Sequence, residues 1–321
     1  MVEALAARFR RFAETEARGR SPLYEALANG VAGDPASLAF VVSLPPEKQQ
    51  PNLLFAALRH VCGTPVDWAQ ARAGLHAHAD AIRAVMLARN TQTNEPGRCA
   101  VLLPVLARLK QPLALIEVGA SAGLCLLPDR YIYDYEGHLL RGTAAPDDAP
   151  ELACRIGHGT PVPGSTPQIA FRAGLDLNPI DLTDDDQAAW LETLVWPDQL
   201  HRLAQLRAAI SVARVEPPRV LRGDLLTDLP VLAGAAPPDA TLVVFHTAVL
   251  AYVRDPAARA VFAGMVRDLG VIWICNEAPS VFPHIAGRTP ASPPRGAFLL
   301  SVDETPVAWT DPHGAWMEWI A

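Results

Sequence analysis

The chain has 321 residues, 50% of them hydrophobic and 19% charged, enough for one large domain or two ordinary ones with a sizeable core. Its net charge of −7 lacks the Lys and Arg excess that a broad grip on nucleic acid needs, and no Lys/Arg-rich stretch interleaved with aromatics appears. The five cysteines, Cys62, Cys99, Cys125, Cys154 and Cys275, are odd in number and form no Cys-x-x-Cys pair, which predicts buried free thiols in a reducing cytosol rather than a disulfide framework or a zinc site.

Residues 1–108 read as an all-helical domain. The opening residues carry an early acid, Glu3, and no continuous apolar core, which argues against a secretory signal. Leu5, Phe9 and Phe12 fall on one face at helical spacing. Ser21-Pro22 and Asp34-Pro35 have the form of an N-cap followed by a first-turn proline. Residues 51–62, 73–89 and 97–109 are rich in Ala, Leu and Arg at helical period, with breaks such as Leu44-Pro45-Pro46 between segments.

Residues 109–321 change character. Leu113–Val118, Ile169–Asp176, Arg219–Arg222, Leu242–Phe245 and Val271–Cys275 are short apolar runs of the kind found in buried parallel strands. Asp184–Ala213 and Pro256–Leu269 read as helices between them. Ala297–Val302, Val307–Thr310 and Ala315–Ile320 read as consecutive antiparallel strands, with a turn at Asp311–Gly314. An insertion at about 128–168 begins with a hairpin turning at Glu136-Gly137 and continues through a Pro/Gly/Ala-rich excursion. Strand–helix alternation predicts an α/β fold: a doubly wound sheet of parallel strands with antiparallel C-terminal strands, behind an all-helical N-terminal domain. No run is long enough to span a bilayer; Thr241 to Val253 is interrupted by His246 and Thr247. A cytoplasmic protein with no membrane segment is expected.

In an open parallel sheet, ligands sit beyond the carboxyl ends of the strands. The first strand delivers Glu117 and a small-residue loop, Gly119-Ala-Ser-Ala-Gly123, before a helix-like stretch, Leu124–Leu127. Small residues there let backbone N–H groups approach a ligand. The second strand delivers Asp176 and Asn178, the third Gly223 and Asp224, the fourth His246 and Thr247, and the fifth Asn276 and Glu277.

This series resembles the class I S-adenosylmethionine-dependent methyltransferases. The resemblance implies a Rossmann-like sheet with S-adenosylmethionine as cofactor. It implies cofactor contacts from Glu117, Gly119, Ser121 and Gly123, with Ser121 in place of the middle glycine, from Asp176 to the ribose, and from Asp224 to the adenine. More narrowly, the chain resembles a family of uncharacterised bacterial proteins with a methyltransferase-like core behind a helical N-terminal part. The stretches that carry this likeness are Gln92–Arg98, Glu117–Tyr135, Gly174–Asp181, Phe245–Tyr252 and Trp273–Pro279. Asp176 lies far beyond the roughly 20 residues after the glycine loop at which dinucleotide folds place this acid, so the insertion must fill the difference.

The expected reaction is methyl transfer to a small-molecule or protein substrate, with His246 first and Glu277 second as base. Asn94, Glu95, Arg98, Arg130, Tyr131, Tyr252 and Asn276 are the candidate substrate residues. Each also has a structural reading. Glu95 could cap a helix, Asp176 the turn at Asn178-Pro179, and Asp224 the turn that follows it. His246 could be a hydrogen-bonded core residue, and Glu277 part of a buried pair. No histidine has metal-site spacing, so no metal is expected.

Two alternatives stand beside this reading. Gly119-x-Ser121-x-Gly123 also has the form of a hydrolase nucleophile elbow, with Asp224 or Asp255 and then His284 or His313 completing the order. Against it stand the helical first third, the missing His-Gly-Gly-Gly motif, and Glu117 close to a developing oxyanion. The other alternative is a catalytically inactive cofactor-binding module.

Overall fold

The computed structural model describes residues 2–92, 94–290 and 293–320. Thr93, inside the Gln92–Arg98 stretch, lies outside the described residues, as do Ala291 and Ser292. The chain forms two compact units, Met1–Thr93 with Asp185–Ala204, and Asn94–Asp184 with Gln205–Ala321. The expected boundary at 108 therefore moves back to 93. A stretch read as part of the α/β domain also joins the helices.

The first unit holds α1 (Val2–Phe12), α2 (Pro22–Gly33), α3 (Pro35–Val42), α4 (Pro51–Cys62), α5 (Trp68–Ala77) and α6 (Ala79–Ala88). Ser21, Asp34 and Asp67 cap α2, α3 and α5 by accepting the N–H of Tyr24, Ser37 and Gln70. Phe55 of α4 is the centre of an aromatic cluster with Phe9, Phe12 and Tyr24. Trp190 and Trp196 complete this core from far along the sequence. The Trp190 indole donates to Asn90 O at 3.0 Å, and that of Trp196 to Asn52 Oδ1 at 3.0 Å.

The second unit contains α7 (Arg98–Leu106), buried along its whole length, then β1 (Leu113–Val118), β2 (Ile132–Tyr135), β3 (His138–Arg141), β4 (Glu151–Ala153), β5 (Arg155–Ile156) and β6 (Ile169–Asp176). The predicted helix over 184–213 is two helices, α8 (Asp185–Leu194) and α9 (Leu200–Val215). Pro197 separates them, because it cannot continue a helical hydrogen-bond ladder. There follow β7 (Val220–Arg222), α10 (Leu229–Ala233), β8 (Thr241–Thr247), α11 (Pro256–Asp268), β9 (Ile272–Glu277), α12 (Pro283–Ala286), β10 (Phe298–Val302), β11 (Thr305–Thr310) and β12 (Trp316–Trp319).

The main sheet has the order β5-β12-β11-β10-β9-β8-β1-β6-β7. Its β7-β6-β1-β8-β9 portion is parallel, and β9 to β12 pair antiparallel. The fold is thus a mixed α/β unit on a large, mostly parallel sheet. A small sheet, β3-β2-β4, occupies the insertion. Its hairpin turns at Glu136 and Gly137, both at positive φ (55° and 94°), as a two-residue hairpin turn requires. Tyr131, Tyr133 and Tyr135 are buried, with their hydroxyls donating to Leu124 O, Pro128 O and Ala100 O.

The stretch after the glycine loop is not a helix of ordinary length. Leu124–Leu126 makes one tight turn, and Pro128 begins another. The residue before a proline is steered away from α geometry, which ends the first turn at Leu127. Four thiols are buried as expected, whereas Cys62, at the end of α4, is exposed. Among the described residues no helix is long and apolar enough to cross a membrane.

Candidate functional site

In the order β7-β6-β1-β8-β9 the chain builds outward from β1 to β7, then returns to β8 on the other side of β1. The carboxyl ends of β1 and β8 flank that reversal, the place where open α/β sheets hold ligands. The glycine loop leaves β1 there.

Gly119 and Gly123 sit at φ of 69° and 75°. A Cβ on Gly119 would stand 2.4 Å from the Val249 side chain, and one on Gly123 2.8 Å from Pro218. Both glycines are therefore required by the chain's own packing. The loop is also tied down at several points. Gly119 N–H donates to Leu175 O at 2.7 Å, and Ser121 N–H to Asp176 Oδ2 at 2.8 Å. The Asn94 amide spans the loop, accepting from Leu124 N–H at 3.1 Å and donating to Ala120 O at 2.9 Å. Asn94, expected beside the substrate, is here a clamp on the loop. Asp176 also accepts Asn178 N–H at 2.7 Å, so the turn-capping reading and the loop contact hold together.

Strand register assigns the side chains to faces. Glu117 pairs with Gly174 of β6 and Phe245 of β8, and Phe245 pairs with Ile274 of β9. Side chains alternate along strands, so Asp176, Glu117, Thr247 and Asn276 share one face at the carboxyl edge. The β9–β10 and β10–β11 registers extend this row to Thr310. Glu117, Thr247, Asn276 and Thr310 are all buried, with Asn276 and Thr310 at 0% exposure. Arg98, also buried, meets the row from α7. Its Nη1 donates to Thr247 O at 3.0 Å and Oγ1 at 3.2 Å, and its Nε to Pro312 O at 2.8 Å.

Two atoms in this row have no hydrogen-bond partner among the described residues, Glu117 Oε2 and Asn276 Nδ2. Thr310 donates to Asn276 Oδ1 at 2.7 Å, leaving the amide nitrogen unused. Burial pushes the Glu117 carboxyl well above the usual carboxylate range, and the nearby Arg98 guanidinium only partly opposes this. Buried polar groups are ordinarily paired, so two orphans in one row call for an explanation.

The opposite face holds His246 and Glu277. The Trp273 indole donates to His246 Nε2 at 3.0 Å, so the proton is on Nδ1, which donates to Glu277 Oε1 at 2.8 Å. That same oxygen accepts Val249 and Leu250 N–H at 2.8 and 2.9 Å. His246 is fully buried with both nitrogens engaged, and in this arrangement has none to offer a substrate. Together the pair holds the turn at Ala248 (φ 58°), which lays Val249 against Gly119. Glu277 Oε2 has no partner, but Glu277 lines a cavity of about 10 Å³ with Cys275 and Ser301, the size of one water.

The other candidates are dispersed. Glu95 stands 3.3 Å from His313, and Arg130 pairs with Glu216. The Tyr131 hydroxyl is used internally, and Tyr252 is 71% exposed. Asp224 is exposed and accepts Leu226 N–H at 2.7 Å, the turn-starting reading. Ser121 Oγ is buried without a partner, so no histidine contacts it. Of the other proposed triad members, Asp255 caps α11 and His284 faces Glu304. Sequence reasoning passed over Thr310, Val249 and the loop-clamping role of Asn94. Thr310 joins the row only through two antiparallel registers, which no local pattern encodes.

Residues 6–319 match the DUF2332 family, described as an uncharacterized protein conserved in bacteria, and the chain belongs to that family. No curated protein and no solved structure is significantly similar to it. Among the described residues no group of three or more His, Cys, Asp or Glu side chains is arranged to hold a metal ion.

Proposed function

Taking the chain as a member of that bacterial family, we propose that its second unit binds S-adenosylmethionine at the carboxyl edge of the parallel sheet and transfers the methyl group to a small molecule or protein side chain. The observation that carries this reading is Glu117. It is a buried carboxyl at the end of β1, beside the glycine loop, with one oxygen left without a partner. Such a group is costly unless something meets it. Asp176 at the end of the adjacent β6 and Asp224 just beyond β7 continue the series of acids toward the sheet edge. Carboxylates suit the hydroxyls of a ribose and the exocyclic amine of an adenine.

These residues fit the cofactor through their side chains rather than through the loop backbone, since Val249 covers Gly119 and the Ser121 N–H is bonded to Asp176. Glu117, Asp176 and Asp224 would hold it. When bound, it supplies a methyl group already activated on a sulfonium. What remains for the protein is to orient the acceptor and exclude water, which accounts for much of the acceleration in such displacements. Neither orientation nor exclusion of water requires a free nitrogen on His246.

Calorimetric titration of S-adenosylhomocysteine into wild type and Glu117→Ala tests the reading. Binding in the micromolar range (about −8 kcal/mol) that is lost in the variant is the expected result. A folded wild type that shows no heat of binding would sink it.

A further inference from the structure

Resting on the reading just given, we propose that the methyl acceptor carries a carboxylate, seated on the polar row at Thr247 and Asn276 beside Arg98. The row divides at β1. Toward β6 and β7 it presents acids, Asp176 and then Asp224, which suit hydroxyls and amines. Toward β8 and β9 it presents donors. Asn276 Nδ2 has two hydrogens and no partner among the described residues, and it is completely buried. The Thr247 hydroxyl accepts from Arg98, so its own proton is directed elsewhere. Arg98 brings a fixed positive charge to the same spot.

An amide N–H₂, a hydroxyl and a guanidinium gathered in a low-dielectric interior make a site for an anion. An apolar group there would leave the donors unpaired, a cation would stand against the Arg98 charge, and a neutral carbonyl would pair the donors without meeting that charge. Glu117 does not spoil the site, because burial favours its neutral form. The planar reach of a carboxylate, two oxygens on one carbon, matches donors on two neighbouring strands.

The cofactor itself carries a carboxylate at its amino-acid end, so the experiment must separate the two sources. Melting temperature is followed while sodium acetate is added at constant ionic strength, with sodium chloride as control, in wild type, Asn276→Asp and Thr247→Val. Asn276→Asp keeps the acceptor that Thr310 uses and sets a negative charge against the anion. Thr247→Val removes the hydroxyl while Arg98 keeps its bond to the Thr247 carbonyl. S-adenosylhomocysteine is titrated with and without acetate in parallel.

The expected result is a saturable rise with acetate over chloride, acetate affinity weakened at least tenfold in Asn276→Asp and several-fold in Thr247→Val, and S-adenosylhomocysteine affinity unchanged by acetate. Equal shifts with acetate and chloride, or an acetate response the same in the variants as in wild type, overturn the carboxylate subsite. Competition between acetate and S-adenosylhomocysteine assigns the subsite to the cofactor and overturns the acceptor proposal. Loss of S-adenosylhomocysteine binding in folded wild type overturns the cofactor reading instead, a separate and recognisable failure.

Discussion

In the helical unit Ser21, Ser37 and Gln49 are buried, and each has its side chain hydrogen-bonded. Ser21 accepts from Tyr24 N–H and donates to Asp198. Ser37 donates to Asp34 at 2.7 Å, and Gln49 to Leu44 O at 2.8 Å. In the α/β unit Glu117, Ser121, Asn276 and Glu277 are buried as deeply, and each keeps a side-chain atom without a partner. The same chain therefore satisfies its polar groups in one region and leaves them open in another. These four stand at or just beyond strand ends, where a parallel sheet holds ligands, whereas others such as Thr160 and Arg259 lie elsewhere. Among the described residues, buried side-chain atoms without a partner lie in the α/β unit and not in the helical one.

The sharpest way to test the packing side is Phe55→Ala, which removes the centre of the aromatic cluster and is expected to cost about 3–5 kcal/mol, read from the denaturant midpoint. Next, on the chemical side, is Gly119→Ala. A left-handed backbone costs an ordinary residue about 1–2 kcal/mol, and the collision with Val249 adds to this. If Val249 is the obstacle, Gly119→Ala combined with Val249→Ala will lose less than the two single changes together. An additive double variant would place the strain elsewhere.

The third prediction concerns pH. The folded chain holds the Glu117 proton well above the ordinary carboxylate value of 4.5. Its stabilising effect is therefore complete below that ordinary value and is lost as pH rises toward the folded one. Glu117→Gln, which cannot ionise, should lose less stability than wild type as pH rises above that ordinary value. Parallel curves would mean that Glu117 is ionised in the folded chain. The smallest effect belongs to the surface. Arg10→Ala breaks an exposed pair with Glu3 and should cost no more than about 0.5 kcal/mol.

The parallel strands β1, β6, β7, β8 and β9 were legible as short apolar runs with polar groups at their ends, and β1 and β6 coincide with the predicted runs, whereas β5, inside the Pro/Gly/Ala-rich excursion, was not. The hairpin at Glu136-Gly137 was legible from its turn residues. Less legible was anything decided by distant partners. Glu117, Thr247 and Asn276 stand out in sequence as strand-ending polar groups, but that they share a face with Thr310 follows only from register. His246 reads equally well as a base or as a core residue until Trp273 and Glu277 are seen on its two nitrogens. The domain boundary was misplaced because α7 has helical composition. What assigns it to the second unit is its burial, which composition does not report.

The return of Asp185–Ala204 to the helical unit has a consequence for how the chain is made. Trp190 and Trp196 belong to the core around Phe55, yet they are translated after β6. A ribosome will have released β1 through β6 before the helical core has its last two large side chains. The unit that begins the chain therefore cannot finish folding until the first strands of the other unit have been made. A nascent chain stopped before residue 190 would expose the faces of Tyr24 and Phe12 that Trp196 covers, a state for a chaperone to shield.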